Sequence, residues 1–206
     1  MVSLLLKKQV RKLLEEHGID TAAFETEQLL KWATGLDRLT LSPDSEIEEE
    51  KAQKALSAAR RRIKGEPLQY IIGEWDFFGL TFRVGEGVLI PRPETELLVE
   101  KVLSELASGG TVIDLCSGSG CIPIAVAKKS DARCYGVEIS EKALRYFKEN
   151  ILLNQAEDKV TPLKGDVLDP SEELLESLPE KCDIITANPP YLSASDMREL
   201  QKEVRH

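Results

Sequence analysis

The sequence has little of what several function classes need. None of its 206 residues lies in an apolar run approaching the roughly 20 residues that cross a bilayer, and Met1 to Lys12 carries no leader-cleavage pattern, so the expectation is a cytoplasmic protein without membrane contact. Histidine is almost absent: His17 and His206 are the only two, and neither falls near a motif. The four cysteines, Cys116, Cys121, Cys134 and Cys182, form no C-x-x-C pair and fall in or beside expected core strands, which reads as buried free thiols with no metal site. Basic surplus is missing too: 27 Lys and Arg face 36 Asp and Glu, a net charge of -9, which disfavours direct binding of nucleic acid through bulk charge.

What is present falls into two zones. Leu4, Leu5, Val10, Leu13 and Leu14 recur at helical spacing until His17-Gly18, and a second helix capped by Asp20 or Thr21 runs to Ala33 and ends at Gly35. Ser45 and Glu48 have capping-box spacing, predicting a third helix from Ser45 to Gly65, with Pro67 blocking its continuation. The Arg60-Arg61-Arg62-Lys64 cluster then sits at a helix end, where cations favour the dipole, and the acidic run at Glu46, Glu48, Glu49 and Glu50 reads as a solvated helix start.

From Leu68 the pattern becomes aromatic and alternating, and Trp75 to Val84 reads as two short strands around Gly79. Beyond Pro93 helices and strands alternate: a helix over 95–107, strand 111–115, helix 120–129, strand 133–138, helix 141–154 capped by Ser140, strand 160–164, a short helix near 171–177, and strand 183–187. Strands separated by helices predict βαβ units, an α/β class and a parallel sheet whose ligands lie at the carboxyl ends of its strands. The expected domains are a helical one over 1–73, a β-hairpin linker over 74–92, and the α/β sheet over 93–206.

At the end of the first of these parallel strands stands Asp114-Leu115-Cys116-Ser117-Gly118-Ser119-Gly120. Glycines here let the backbone turn sharply from strand to helix and approach a ligand. Glu138 closes the next strand 24 residues after Asp114, where a carboxylate can accept both hydroxyl hydrogens of a ribose. A dinucleotide fingerprint wants a third glycine where this chain has Pro123, and a phosphate gains from an open helix N-terminus. S-adenosylmethionine carries a sulfonium and no phosphate and tolerates acids around it. Asp166 in Gly165-Asp166-Val167 offers another, in place for an adenine amino group. The residues favour the methyl donor.

The last strand ends in Asn188-Pro189-Pro190-Tyr191, where two prolines fix two φ angles and throw Asn188 out of the strand in a stiff orientation. This run resembles the motif of methyltransferases that modify planar amino nitrogens on adenine, cytosine or glutamine. Gly65 to Gly73 (GEPLQYIIG) and Leu89 to Glu96 (LIPRPETE) narrow the likeness: nearly the whole chain resembles the PrmC/HemK family, which methylates the glutamine of the Gly-Gly-Gln loop in bacterial peptide-chain release factors. The resemblance implies a Rossmann-like sheet, S-adenosyl-L-methionine as methyl donor, S-adenosyl-L-homocysteine as product, and a release factor as partner of the helical zone. It implies cofactor contacts from Cys116, Ser117, Gly118, Ser119, Gly120, Glu138 and Val167, with Asp114, Asp166 and Asn188 beside them. Substrate contacts fall to Asn188, Pro189, Pro190 and Tyr191, the catalytic work to Asn188, Pro189 and Tyr191, and no metal is required. Cys116 departs from the pattern, since many methyltransferases have glycine there.

Methyltransferases of this class add about three strands after the N-P-P-Y strand, so the chain reads as a C-terminally truncated form of the fold. The run Ile184 to Ala187 is apolar, as in a strand covered on both faces. Its far edge is then expected to pair with a second copy, to be covered by residues 192–206, in which 194–205 can form a polar amphipathic helix, or to continue into a longer protein. The competing readings are an adenine-specific DNA or RNA methyltransferase and a non-catalytic cofactor-binding fragment.

Overall fold

The computed structural model describes residues 1–36 and 42–189. Two compact units divide the chain, one over Met1–Ile72 and one beginning at Gly73.

The first unit is helical: α1 (Ser3–Glu16), α2 (Ala22–Thr34), α3 (Glu49–Arg62) and α4 (Leu68–Ile72). Leu6, Val10 and Leu14 of α1, Leu29 and Leu30 of α2, and Ala52, Ala55 and Ala59 of α3 are fully buried, each set at helical spacing. Gly35 caps α2 at φ 75°, as its position predicts. Three expectations change. Helix α3 begins at Glu49, because the backbone of 43–47 is already engaged: the carbonyls of Pro43 and Ser45 accept from Leu4 and Ser3 N–H, and Ile47 N–H donates to Met1. These bonds satisfy the open amides at the start of α1, so Ser45 does not cap α3. Second, Leu68 opens helix α4, with Tyr70 and Ile71 N–H donating to the Pro67 carbonyl; a proline that cannot extend one helix readily starts another. Third, Arg62 stands in the last turn of α3 as expected, but it does more than favour the dipole: it is buried and paired with Glu25 of α2 at 2.7 and 3.2 Å.

The second unit opens with the antiparallel hairpin β1 (Glu74–Phe77) and β2 (Leu80–Arg83), turned through Phe78 and Gly79. Then follow α5 (Glu96–Glu105) behind a 3₁₀ turn at Pro93–Thr95, β3 (Thr111–Leu115), α6 (Cys121–Lys129), β4 (Arg133–Glu138), α7 (Glu141–Leu153), β5 (Val160–Lys164), α8 (Glu172–Ser177) and β6 (Ile184–Ala187). Ser140 and Ser171 cap α7 and α8, each hydroxyl accepting the N–H three residues on. The parallel sheet has the order β5-β4-β3-β6, so the chain steps outward on one side of β3 and returns on the other. That reversal opens a crevice at the carboxyl end of β3. Val112, Ile124, Val126, Cys134, Phe147 and Val99 fill the core between the sheet and its helices.

Strand β6 departs from expectation: Thr186 is buried, but Ile185 is 61% exposed. The described helices α6, α7 and α8 pack on β3, β4 and β5, which leaves one face of β6 uncovered by them. Among the described residues β6 pairs with β3 alone, and the segment 192–206 lies outside them. Two of the four thiols, Cys116 and Cys182, are half-buried where full burial is expected.

Candidate functional site

Register brings the site together. Leu115 pairs with Val137 on one side and Ala187 on the other, so Cys116, Glu138 and Asn188 stand level at the carboxyl ends of β3, β4 and β6. Cys116 begins the turn at φ 60°, a left-handed conformation that glycine adopts more readily, and this explains why glycine is usual at that position. Burial pushes its thiol pKa up and the acids Glu138, Asp114 and Asp166 add to this, which disfavours the thiolate. Gly118 and Gly120 follow at φ 56° and 77°. A methyl group on Gly120 would lie 2.0 Å from Phe147 Cδ2, so glycine here permits α7 to pack beneath the turn.

Glu138 is nearly buried, and both its oxygens accept backbone donors: Oε2 from Gly118 N–H at 2.7 Å and Oε1 from Ser140 N–H at 2.8 Å. The acid thus stands directly against the glycine turn. Ile139, 60% exposed, follows it with an apolar side chain. Asp166 and Val167 are half-buried beyond β5, Asp166 Oδ1 accepting from Leu168 N–H at 2.9 Å. Ser117 and Ser119 are buried, the Ser117 hydroxyl donating to the Asp114 carbonyl at 2.9 Å.

Asp114 is enclosed rather than presented to a ligand. Its side chain has no exposed surface, Oδ1 accepts from the Thr186 hydroxyl at 2.6 Å, and buried Oδ2 has no hydrogen-bond partner among the described residues. Burial raises its carboxyl pKa from 3.8 to about 7, the Thr186 hydroxyl pulling against the rise. Asn188 is half-buried; its Nδ2 lies 3.5 Å from the Thr95 hydroxyl, at the outer limit of a hydrogen bond. Pro189 is exposed. Pro190 and Tyr191 lie outside the described residues.

Sequence reasoning passed over Thr95, Glu96, Ile139 and Thr186. The first two lie inside the LIPRPETE run, which was the available signal: Thr95 meets Asn188, and Glu96 accepts from Phe78 N–H of the hairpin turn at 2.7 Å. Two shallow grooves, of about 580 and 480 Å³, lie elsewhere, on α1–α2 and on α7–β5, and neither includes a residue of the turn.

The PrmC N-terminal domain matches residues 6–73, and the TRM5/TYW2 methyltransferase domain matches residues 94–179. Release factor glutamine methyltransferases from Geobacter sulfurreducens and Moorella thermoacetica are 39% and 38% identical to this chain, covering 95% and 97% of it and 67% and 70% of their own lengths. The chain belongs to the release factor glutamine methyltransferase family. The homologue from Thermodesulfovibrio yellowstonii is 39% identical over 88% of this chain and 65% of its own length, so the chain spans about two thirds of the length of these relatives. Among solved structures, the Pyrococcus abyssi tRNA (uracil-54, C5)-methyltransferase in complex with S-adenosyl-L-homocysteine is similar over 64% of this chain and 32% of that one, at 17% identity and a TM-score of 0.46. That likeness is too partial to bear on function.

Proposed function

We propose that this chain carries the S-adenosyl-L-methionine site and the acceptor loop of an enzyme that methylates the side-chain amide nitrogen of the glutamine in the Gly-Gly-Gln loop of a peptide-chain release factor. The observation that carries the reading is the level arrangement of the glycine turn, Glu138 and Asn188 on three adjacent strands. The residues suit the cofactor: a carboxylate held against the turn can accept from a ribose diol, and the turn itself contains no Lys, Arg or His to attract a phosphate. Membership of the family supports the substrate.

When bound, the cofactor supplies a methyl group on a sulfonium; its transfer forms a C–N bond, breaks the C–S bond and leaves S-adenosyl-L-homocysteine, the amide losing one proton to water. An amide nitrogen is a poor nucleophile, because its lone pair is delocalised into the carbonyl. The protein's task is therefore alignment. In this reading Asn188 Oδ1 and the Pro189 carbonyl accept the two amide hydrogens, and Thr95 restrains the Asn188 side chain at its other end. Alignment of this type contributes on the order of 7 to 11 kcal/mol in favourable cases.

Labelled methyl donor incubated with this chain and either a release factor or nucleic acid tests the proposal. Label is expected on the release-factor glutamine alone, and Asn188→Ala is expected to abolish transfer while leaving cofactor affinity within about threefold. Label on adenine would replace this reading with nucleic-acid methylation. Cofactor binding with no transfer would reduce the chain to a binding fragment.

A further inference from the structure

Asn150 lies in the last turn of α7 with no exposed surface, where an apolar side chain would pack and where asparagine weakens a helix. Its amide is taken up by backbone from two other segments. Oδ1 accepts from Arg83 N–H at 2.6 Å, while Nδ2 donates to the Arg83 carbonyl at 3.1 Å and to the Ser119 carbonyl at 2.9 Å. Arg83 ends β2; one helical turn further along α7, Asn154 Nδ2 donates to the Thr81 carbonyl of the same strand at 3.0 Å. Backbone groups of residues 81 and 83 share one edge of β2, so the two asparagines serve that edge where a neighbouring strand would.

The Ser119 contact reaches into the glycine turn. Gly120 N–H donates to the Ser117 carbonyl at 2.8 Å, so the peptide joining Ser119 and Gly120 is held at both ends, its oxygen by Asn150 and its N–H by Ser117. Gly120, on one side of that peptide, leaves little intrinsic resistance to its rotation. Phe147, three residues before Asn150, touches Gly120 and Gly136 and packs the same face of α7 against the turn.

We propose that Asn150 is a positioning residue: it fixes the Ser119–Gly120 peptide in the orientation the cofactor requires and couples the turn to the β1–β2 hairpin. This rests on the cofactor reading above. Without the Nδ2 donor the Ser119 carbonyl loses this partner, and the peptide is held only through Gly120 N–H, next to a glycine φ that resists rotation little.

The parent chain and the variants Asn150→Ala, Asn150→Asp and Asn154→Ala are titrated with S-adenosyl-L-homocysteine by calorimetry, at a temperature where near-UV circular dichroism shows each to be folded. Amide exchange at Arg83 and Gly120 is followed by NMR without ligand. Both Asn150 variants are expected to bind about tenfold or more weakly and to exchange faster at Gly120. Asn154→Ala, which loosens the same hairpin without touching the turn, is expected to keep the parent affinity. Asn150→Asp retains the acceptor for Arg83 N–H and decides the matter if the alanine variant does not fold. An Asn150 variant binding within twofold of the parent, or an equal loss in Asn154→Ala, overturns the proposal. If the parent itself binds no S-adenosyl-L-homocysteine, the cofactor reading fails, and Gly120 exchange unchanged by Asn150→Ala then overturns the clamp independently.

Discussion

Replacing Asp114 by asparagine is expected to change how stability depends on pH more than any other single substitution at the site. The carboxyl has no exposed surface, one oxygen accepts from Thr186, and the other has no partner among the described residues, so ionising it in place is costly. A rise in pKa from 3.8 to about 7, at about 1.4 kcal/mol per tenfold change in proton affinity, corresponds to about 4 kcal/mol. The direction follows from proton counting. Between about pH 4 and 7 the folded chain holds a proton that the unfolded chain has released, so this contribution is fully present below about 4 and lost as pH rises through about 7. An asparagine side chain cannot titrate, and whatever fixed cost its amide brings is independent of pH. The stability of Asp114→Asn relative to the parent is therefore expected to rise by up to about 4 kcal/mol from pH 4 to pH 8. Urea unfolding at a series of pH values measures it, in a Trp32→Phe background so that Trp75 reports on the second unit alone. A difference between variant and parent that stays constant from pH 4 to pH 8 would refute the reasoning and mean that Asp114 ionises in the fold as it does in water.

Glu138→Ala is expected to weaken S-adenosyl-L-homocysteine binding by about 1.5 to 3 kcal/mol, the range for hydrogen bonds to a charged group, and calorimetry showing unchanged affinity would remove Glu138 from the site. NADH titrated in the same way is expected not to bind. Cys116→Gly relieves a left-handed residue at φ 60° and is expected to stabilise the second unit by about 1 kcal/mol in urea unfolding, whereas a loss of stability would show that the thiol's packing outweighs the backbone strain. Glu25→Ala removes the carboxylate that accepts from buried Arg62 and is expected to cost the helical unit about 1.5 to 3 kcal/mol, the range for hydrogen bonds to a charged group, read from Trp32 fluorescence in a Trp75→Phe background; a cost under about 0.5 kcal/mol would mean that the pair contributes as a solvated one does.

Much of the α/β half is legible because its signals are local. Strands 111–115, 133–138 and 160–164 are apolar runs bounded by turns, and Ser140 and Ser171 mark helix starts through bonds that reach only three residues. Ser45 fails by the same measure: its capping spacing is real, but its backbone is committed to Ser3, 42 residues away. Asn150 is invisible for a related reason. A lone asparagine on an otherwise ordinary amphipathic helix reads as a solvent-facing amide, and only the fold shows that Arg83 and Ser119 converge on it. Asp114 is the reverse case, an acid at the end of a strand that reads as open to a ligand and is sealed by its neighbours.

The sealed acid bears on why the site holds its geometry. Asp114 and Thr186 are register partners on β3 and β6, and their side chains bond at 2.6 Å two residues before Cys116 and Asn188. Adjacent strands lie about 4.8 Å apart, so the glycine turn and Asn188 leave the sheet side by side as long as this register holds. A slip of two residues would keep the same face of β6 turned inward and still move Asn188 by about 6.6 Å along the strand, out of line with the glycine turn. Apolar packing alone discriminates weakly against that slip, because Ile184 and Thr186 would each be replaced by a residue of the same face. The buried acid discriminates against the slip that brings Ile184 opposite Asp114, because Oδ1 then loses the Thr186 hydroxyl and an apolar side chain stands in its place. The acid in the core thus helps hold β3 and β6 in the register that sets the glycine turn beside Asn188.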